Sequence, residues 1–117
     1  MKTTPLKGMK DILPREQRIR DYVQGEILKT YRAAGFERIS TPIMEDMENL
    51  DKSDGGDNLN LIFKVLKRGD KLEKALASGS EKELSDMGLR YDLTLPLSRY
   101  YAANREQLPA PFKVIQT

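Results

Sequence analysis

With no cysteine and no histidine among its 117 residues, this chain offers no thiol nucleophile, imidazole base, or thiolate or imidazole metal ligand. Any chemistry within it rests on carboxylates, hydroxyls, guanidinium and ammonium groups and the backbone. One short run gathers several of these: Arg90-Tyr91-Asp92-Leu93-Thr94. In extended chain alternate side chains share a face. Asp92 and Thr94 would then aim a carboxylate and a hydroxyl at one group, while Leu93 turns away and packs. A plainer reading makes Thr94 the N-cap of a following helix. That accounts for Thr94 but not for Asp92 beside it. Arg90 fits two roles, orienting Asp92 or lining a pocket on one hand, and a structural salt bridge on the other. Tyr91 is expected to pack. A second cluster, Lys64, Lys67, Arg68 and Lys71, reads by default as a solvated face, with phosphate contacts as the sharper alternative.

These groups need elements to hold them. Residues 15–34 carry Ile19, Tyr22, Val23, Glu26, Ile27, Tyr31 and Ala34 at three- and four-residue steps, all but Glu26 apolar or aromatic. That spacing predicts an amphipathic helix, with Pro14 in its first turn and Gly35 as its stop. Residues 36–43 alternate and include β-branched side chains, which predicts a strand interrupted or ended at Pro42. Residues 44–50 are expected to be a short helical or irregular piece. The polar, glycine-rich run 51–60 reads as a loop. A strand over 61–66, a turn at Arg68-Gly69-Asp70 and a short helix over 71–77 follow, then an exposed stretch over 79–83. Leu89 to Asp92 reads as a short strand leading to a helix with Pro96 in its first turn and Leu97, Tyr100, Tyr101 and Ala103 as its packing face. Residues 104–111 read as a loop and 112–117 as another strand. The chain ends inside that strand, which predicts a piece of a longer protein. There are no internal repeats.

Composition sets limits. Hydrophobic residues make up 38% and charged residues 32% of the chain, which allows a modest core. The 20 basic and 18 acidic residues leave a net charge of +2, far from the strongly basic face of a dedicated nucleic-acid-binding domain. No apolar run approaches the roughly 20 residues that span a bilayer, and Met1-Lys2-Thr3-Thr4-Pro5 lacks a signal-peptide core. The expectation is a soluble, cytoplasmic protein with no membrane partner.

The order of these features resembles the start of the histidyl-tRNA synthetases, class II aminoacyl-tRNA synthetases. It runs Gly8…Asp11-Ile12-Leu13-Pro14, a long helix, Gly35-Phe36…Thr41-Pro42-Ile43-Met44-Glu45, Leu89-Arg90-Tyr91-Asp92-Leu93-Thr94, and Phe112-Lys113-Val114-Ile115-Gln116. The likeness covers residues 6–117 and is weakest over 51–87. It implies an α+β fold: an antiparallel sheet with a long N-terminal motif 1 helix, part of the class II catalytic domain from motif 1 to the start of motif 2, without the anticodon-binding domain. Helix 15–34 and strand 36–43 would form the homodimer interface.

The resemblance further implies that Asp92, Leu93 and Thr94 bind histidine, with Arg90 supporting them. The α-ammonium group of free histidine needs an anionic acceptor, and a carboxylate supplies a charge-assisted hydrogen bond. It implies no catalytic residue and no metal ligand within this stretch. ATP, with Mg2+, histidine and tRNA(His) are expected as substrates and partners of the whole enzyme, and no cofactor is held by this stretch alone. The expected activity is ATP-dependent attachment of histidine to its tRNA through histidyl-adenylate, with the 117-residue piece inactive by itself. The alternative is the similar, non-catalytic regulatory subunit that partners ATP phosphoribosyltransferase in histidine biosynthesis.

Overall fold

The computed structural model describes residues 1–52 and 59–117. In chain order the elements are α1 (Pro14–Ala33), β1 (Glu37–Arg38), β2 (Met44–Asp46), α2 (Met47–Lys52), β3 (Lys64–Leu66), α3 (Asp70–Ser78), β4 (Ser85–Leu89), α4 (Thr94–Asn104) and β5 (Val114–Ile115), with short 3-10 turns at 59–61, 81–84 and 105–107. They fall into two compact units, residues 1–39 with 111–117, and residues 40–110.

In the first unit α1 begins at Pro14, whose missing N–H is no loss in a first turn. Its end is fixed by Gly35 at φ +86°. The Gly35 N–H donates to the Arg32 carbonyl and the Phe36 N–H to the Tyr31 carbonyl, both at 3.0 Å. The Phe36 ring then packs edge-on against Tyr31, with centroids 5.1 Å apart. This is the left-handed glycine stop with its apolar clasp. It turns the chain into β1, which pairs in parallel with β5, Glu37 opposite Val114 and Arg38 opposite Ile115. Of α1 only Leu28 is buried. The rest of the expected stripe stays open to solvent, with Ile19 58%, Tyr22 71% and Ile27 42% exposed.

The strand expected over 36–43 is thus much shorter. Pairing covers Glu37 and Arg38, with one further bond from the Ile39 N–H to the Ile115 carbonyl. Beyond Ile39 the chain belongs to the second unit. The strand over 112–117 likewise shrinks to Val114–Ile115.

The second unit is a three-stranded antiparallel sheet, ordered β2-β4-β3. Glu45 lies opposite Gly88 on one side of β4, and Lys64 opposite Gly88 on the other. Met47, Leu50 and Ile62 form the core, with Leu95 packed against it. Gly88 explains how closely that core sits on the sheet. A Cβ there would meet Met47 Sδ at 2.9 Å, Ile62 Cγ2 at 3.0 Å and Leu50 Cδ1 at 3.1 Å. The absent side chain lets α2 and the residue-62 segment close over the central strand.

Several boundaries differ from the sequence reading. Residues 44–50 are a strand followed by a helix, because Met47 and Leu50 take core positions one helical turn apart. The expected loop 51–60 starts as the end of α2 and closes with a 3-10 turn, and its residues 53–58 lie outside the described residues. The strand over 61–66 keeps only Lys64–Leu66. The strand expected over 89–92 lies earlier, at Ser85–Leu89. The turn at residues 68–70 and the helix after it stand, with α3 running from Asp70 to Ser78 between glycines at φ +59° and +68°.

Candidate functional site

The end of β4 delivers the chemistry-bearing run. The Arg90 N–H donates to the Ile43 carbonyl at 2.9 Å, a last rung towards β2. The Arg90 guanidinium reaches the same neighbouring segment, donating to the Thr41 hydroxyl at 2.9 Å and to the carbonyls of Thr41 and Pro42 at 3.1 and 3.2 Å. Arg90 is therefore a clamp on backbone oxygens.

After Arg90 the chain leaves the extended form. Leu93 has φ −105° and ψ 1°, and Thr94 is the first residue of α4. Alternation along a strand therefore does not bring Asp92 and Thr94 together. A turn does: Asp92 Oδ1 accepts the Thr94 N–H at 2.9 Å. Aspartate bonding the backbone two residues on is the usual Asx turn. It reverses the capping roles, since Leu93 stands at the cap position with no side-chain bond and Asp92 satisfies the helix's first amide. Leu93 stays 38% exposed, so its side chain is not packed away as expected.

Asp92 and Thr94 are both exposed. Among the described residues Asp92 has no cationic side chain within ion-pair distance, and its only hydrogen bond is the one from Thr94. The Thr94 hydroxyl has no partner among those residues either. The turn thus presents one carboxylate oxygen and one hydroxyl, a pair suited to a cationic donor such as a primary ammonium group.

Sequence reasoning missed the ion pair beside this turn. Arg99, on α4, grips Glu45, on β2, through Nε to Oε2 at 2.8 Å and Nη2 to Oε1 at 2.9 Å. Glu45 is only 5% exposed. This bonding holds the Arg99 guanidinium above even its ordinary high range. A signal existed: Arg99 falls four residues after core-facing Leu95, on the same helix face.

Of the basic cluster, Lys67, Arg68 and Lys71 line an open depression of about 500 Å³ with Met44, Val65 and Met87, while Lys64 does not. Asp86 shares that lining, and Glu83 lies 3.7 Å from the Lys67 ammonium. The acids offset the basic charge there. Among the described residues no three acidic side chains gather as metal ligands. No helix among them is long and apolar enough to cross a membrane.

A long helix, an antiparallel sheet and a carboxylate turn opening the next helix make this an α+β portion of the class II aminoacyl-tRNA synthetase catalytic fold. Residues 8–115 match the family model for histidyl-tRNA synthetase, and the chain belongs to that family. It is 45% identical to a histidine–tRNA ligase of Leifsonia xyli over 116 residues, covering 97% of this chain and 27% of the relative. The solved histidyl-tRNA synthetase of Nostoc superposes with a TM-score of 0.73 at 30% identity, over 97% of this chain and 23% of that one. A Bacillus halodurans structure described as an ATP phosphoribosyltransferase regulatory subunit/histidyl-tRNA synthetase superposes at 0.71 over 96% of this chain and 26% of that one, but its 20% identity bears on fold alone. The chain spans about a quarter of the length of these relatives.

Proposed function

We propose that this chain is the N-terminal portion of the catalytic domain, from motif 1 to the start of motif 2, of an enzyme that activates histidine with ATP and attaches it to its tRNA. In this reading Asp92 accepts the α-ammonium group of histidine, Thr94 adds a second acceptor, Leu93 joins them through the backbone, and Arg90 holds the turn by its clamp on Thr41 and Pro42. The observation that carries it is the Asp92 carboxylate, exposed at the start of α4 with no cationic side chain paired to it among the described residues. ATP, magnesium and tRNA(His) bind the whole enzyme, and the phosphate-binding groups belong to its remainder. The enzyme works in the cytoplasm.

In the full-length enzyme Asp92→Ala is expected to raise the apparent KM for histidine about 10- to 150-fold, the equivalent of about 1.5–3 kcal/mol for a lost charge-assisted bond. The KM for ATP should barely move. Both are read from histidine-dependent ATP–pyrophosphate exchange, and an unchanged histidine KM refutes the assignment. The regulatory-subunit alternative has only fold-level support, from the likeness at 20% identity. It requires that the full-length protein show no such exchange at all.

The enzyme further acts as a homodimer through helix 15–34 and the 36–43 segment. The open α1 stripe supports this, since Ile19, Tyr22 and Ile27 on one helix face remain exposed and call for a covering surface. Replacing Ile19 and Ile27 together by Asp should shift the full-length protein to monomer in sedimentation velocity. A variant that still sediments as dimer sinks this part.

A further inference from the structure

We infer that the Glu45–Arg99 ion pair is a positioning device for the histidine-binding turn, with Arg99 setting the direction in which Thr94 and Asp92 face. The inference rests on the reading of Asp92 and Thr94 as the ammonium acceptors. Neither member touches substrate in it. Both Glu45 oxygens are engaged by Arg99, and Glu45 is 5% exposed, so it is closed to a ligand.

The case comes from how α4 is held. Its first turn is fixed by apolar burial, with Leu95 against the Met47–Leu50–Ile62 core and Pro96 fully enclosed. Such contacts are non-directional and fix depth better than rotation. One turn further on, Arg99 supplies the directional contact. Its planar fork meets the carboxylate at 2.8 and 2.9 Å, and a two-point bond of this kind fixes angle as well as distance. Its partner stands on β2 directly across from Gly88, the position with no room for a side chain.

The pair therefore references α4 to the most tightly packed point of the sheet. Thr94 opens α4, and its amide holds Asp92 Oδ1. A rotation of α4 about its axis would swing both acceptors together. Stability alone is a weak reason for such a pair, since apolar residues of similar volume often replace buried ion pairs without loss. Orientation is what an apolar replacement would not supply.

The test uses the full-length enzyme, with Glu45→Gln and Arg99→Lys as separate variants and Asp92→Ala beside them. Histidine and ATP KM values come from ATP–pyrophosphate exchange, and melting temperatures are recorded alongside. Each of the two variants is expected to raise the histidine KM about fivefold or more, as a displaced binding group should, and to leave the ATP KM within about twofold. Since KM does not depend on how much of the enzyme is folded, a purely structural pair would lower the melting temperature and the yield of activity but leave the histidine KM unmoved. That result in both variants overturns the inference, as does an equal rise in both KM values. If Asp92→Ala itself leaves the histidine KM unchanged, the underlying assignment has failed. If Asp92→Ala raises it and the other two do not, only the positioning role has.

Discussion

The two long helices start alike and differ in what surrounds the acid near each start. Each has a leucine at the cap position with no side-chain bond, Leu13 before α1 and Leu93 before α4. Near the start of α1, Glu16 accepts from Lys10 Nζ at 2.9 and 3.0 Å and from Arg20 at 2.9 and 3.0 Å. These bonds, Lys10 first and Arg20 second, hold its carboxyl below the ordinary range. Near the start of α4, Asp92 has no cation among the described residues, and nearby Arg90 is turned onto backbone carbonyls instead. An acid at a helix start is favoured by the helix dipole in both places. At α1 its charge is already matched by side chains. At α4, on the function proposed for Asp92, the charge is left for the substrate ammonium group to match, and the contrast is between a carboxylate matched by its own chain and one proposed to bind.

Three substitutions bear on this contrast beyond the Asp92 variant. The largest effect is expected from Leu50→Ala, which hollows the core under α4. Loss of a buried leucine costs about 2–5 kcal/mol, so denaturant unfolding of the full-length enzyme should show the catalytic domain destabilised on that scale. A loss below that range would mean that the α4 start does not depend on this core. Arg90→Ala comes next. Removing its bonds to Thr41 and Pro42 should cost about 1–3 kcal/mol of stability and raise the histidine KM less than Asp92→Ala does. A larger rise than that of Asp92→Ala would make Arg90 a ligand-binding group and not a clamp.

The smallest effect belongs to Glu16→Gln, which should leave the histidine KM untouched, since this acid is already matched by Lys10 and Arg20. Its folded carboxyl is more acidic than the unfolded one, so its contribution is present above the ordinary glutamate range and is lost as pH falls through the lowered value. The Glu16→Gln variant should therefore show a slightly flatter fall in melting temperature on acidification. An identical slope in both proteins would mean that the Lys10 and Arg20 bonds stabilise nothing.

What could be read in advance was local. The apolar spacing of α1 and the glycine that stops it depend on neighbours a few residues away, and both stood within a residue of expectation. The 36–43 strand did not, because its partner is β5 and only Glu37 and Arg38 meet it in register. Asp92 and Thr94 stood out in the sequence as a carboxylate and a hydroxyl two residues apart. Their arrangement was not, since one bond from the Thr94 amide to Asp92 outweighs the extended form that alternation assumed. Glu45 and Arg99 lie 54 positions apart, beyond the reach of any local pattern. Gly88 falls outside the strand expected over 89–92, and only the three side chains arriving from α2 and the residue-62 segment give it meaning.

The place of β4 in its sheet also orders events during synthesis. Among the described residues β2 and β3 pair only with β4 and not with each other, yet both emerge from the ribosome before it. Until Leu89 has left the exit tunnel, neither earlier strand has a partner for its ladder, and Met47, Leu50 and Ile62 have no central strand to close upon. A nascent chain halted short of Gly88 would therefore carry these three side chains uncovered, and would be a natural client for a chaperone that reads exposed apolar surface.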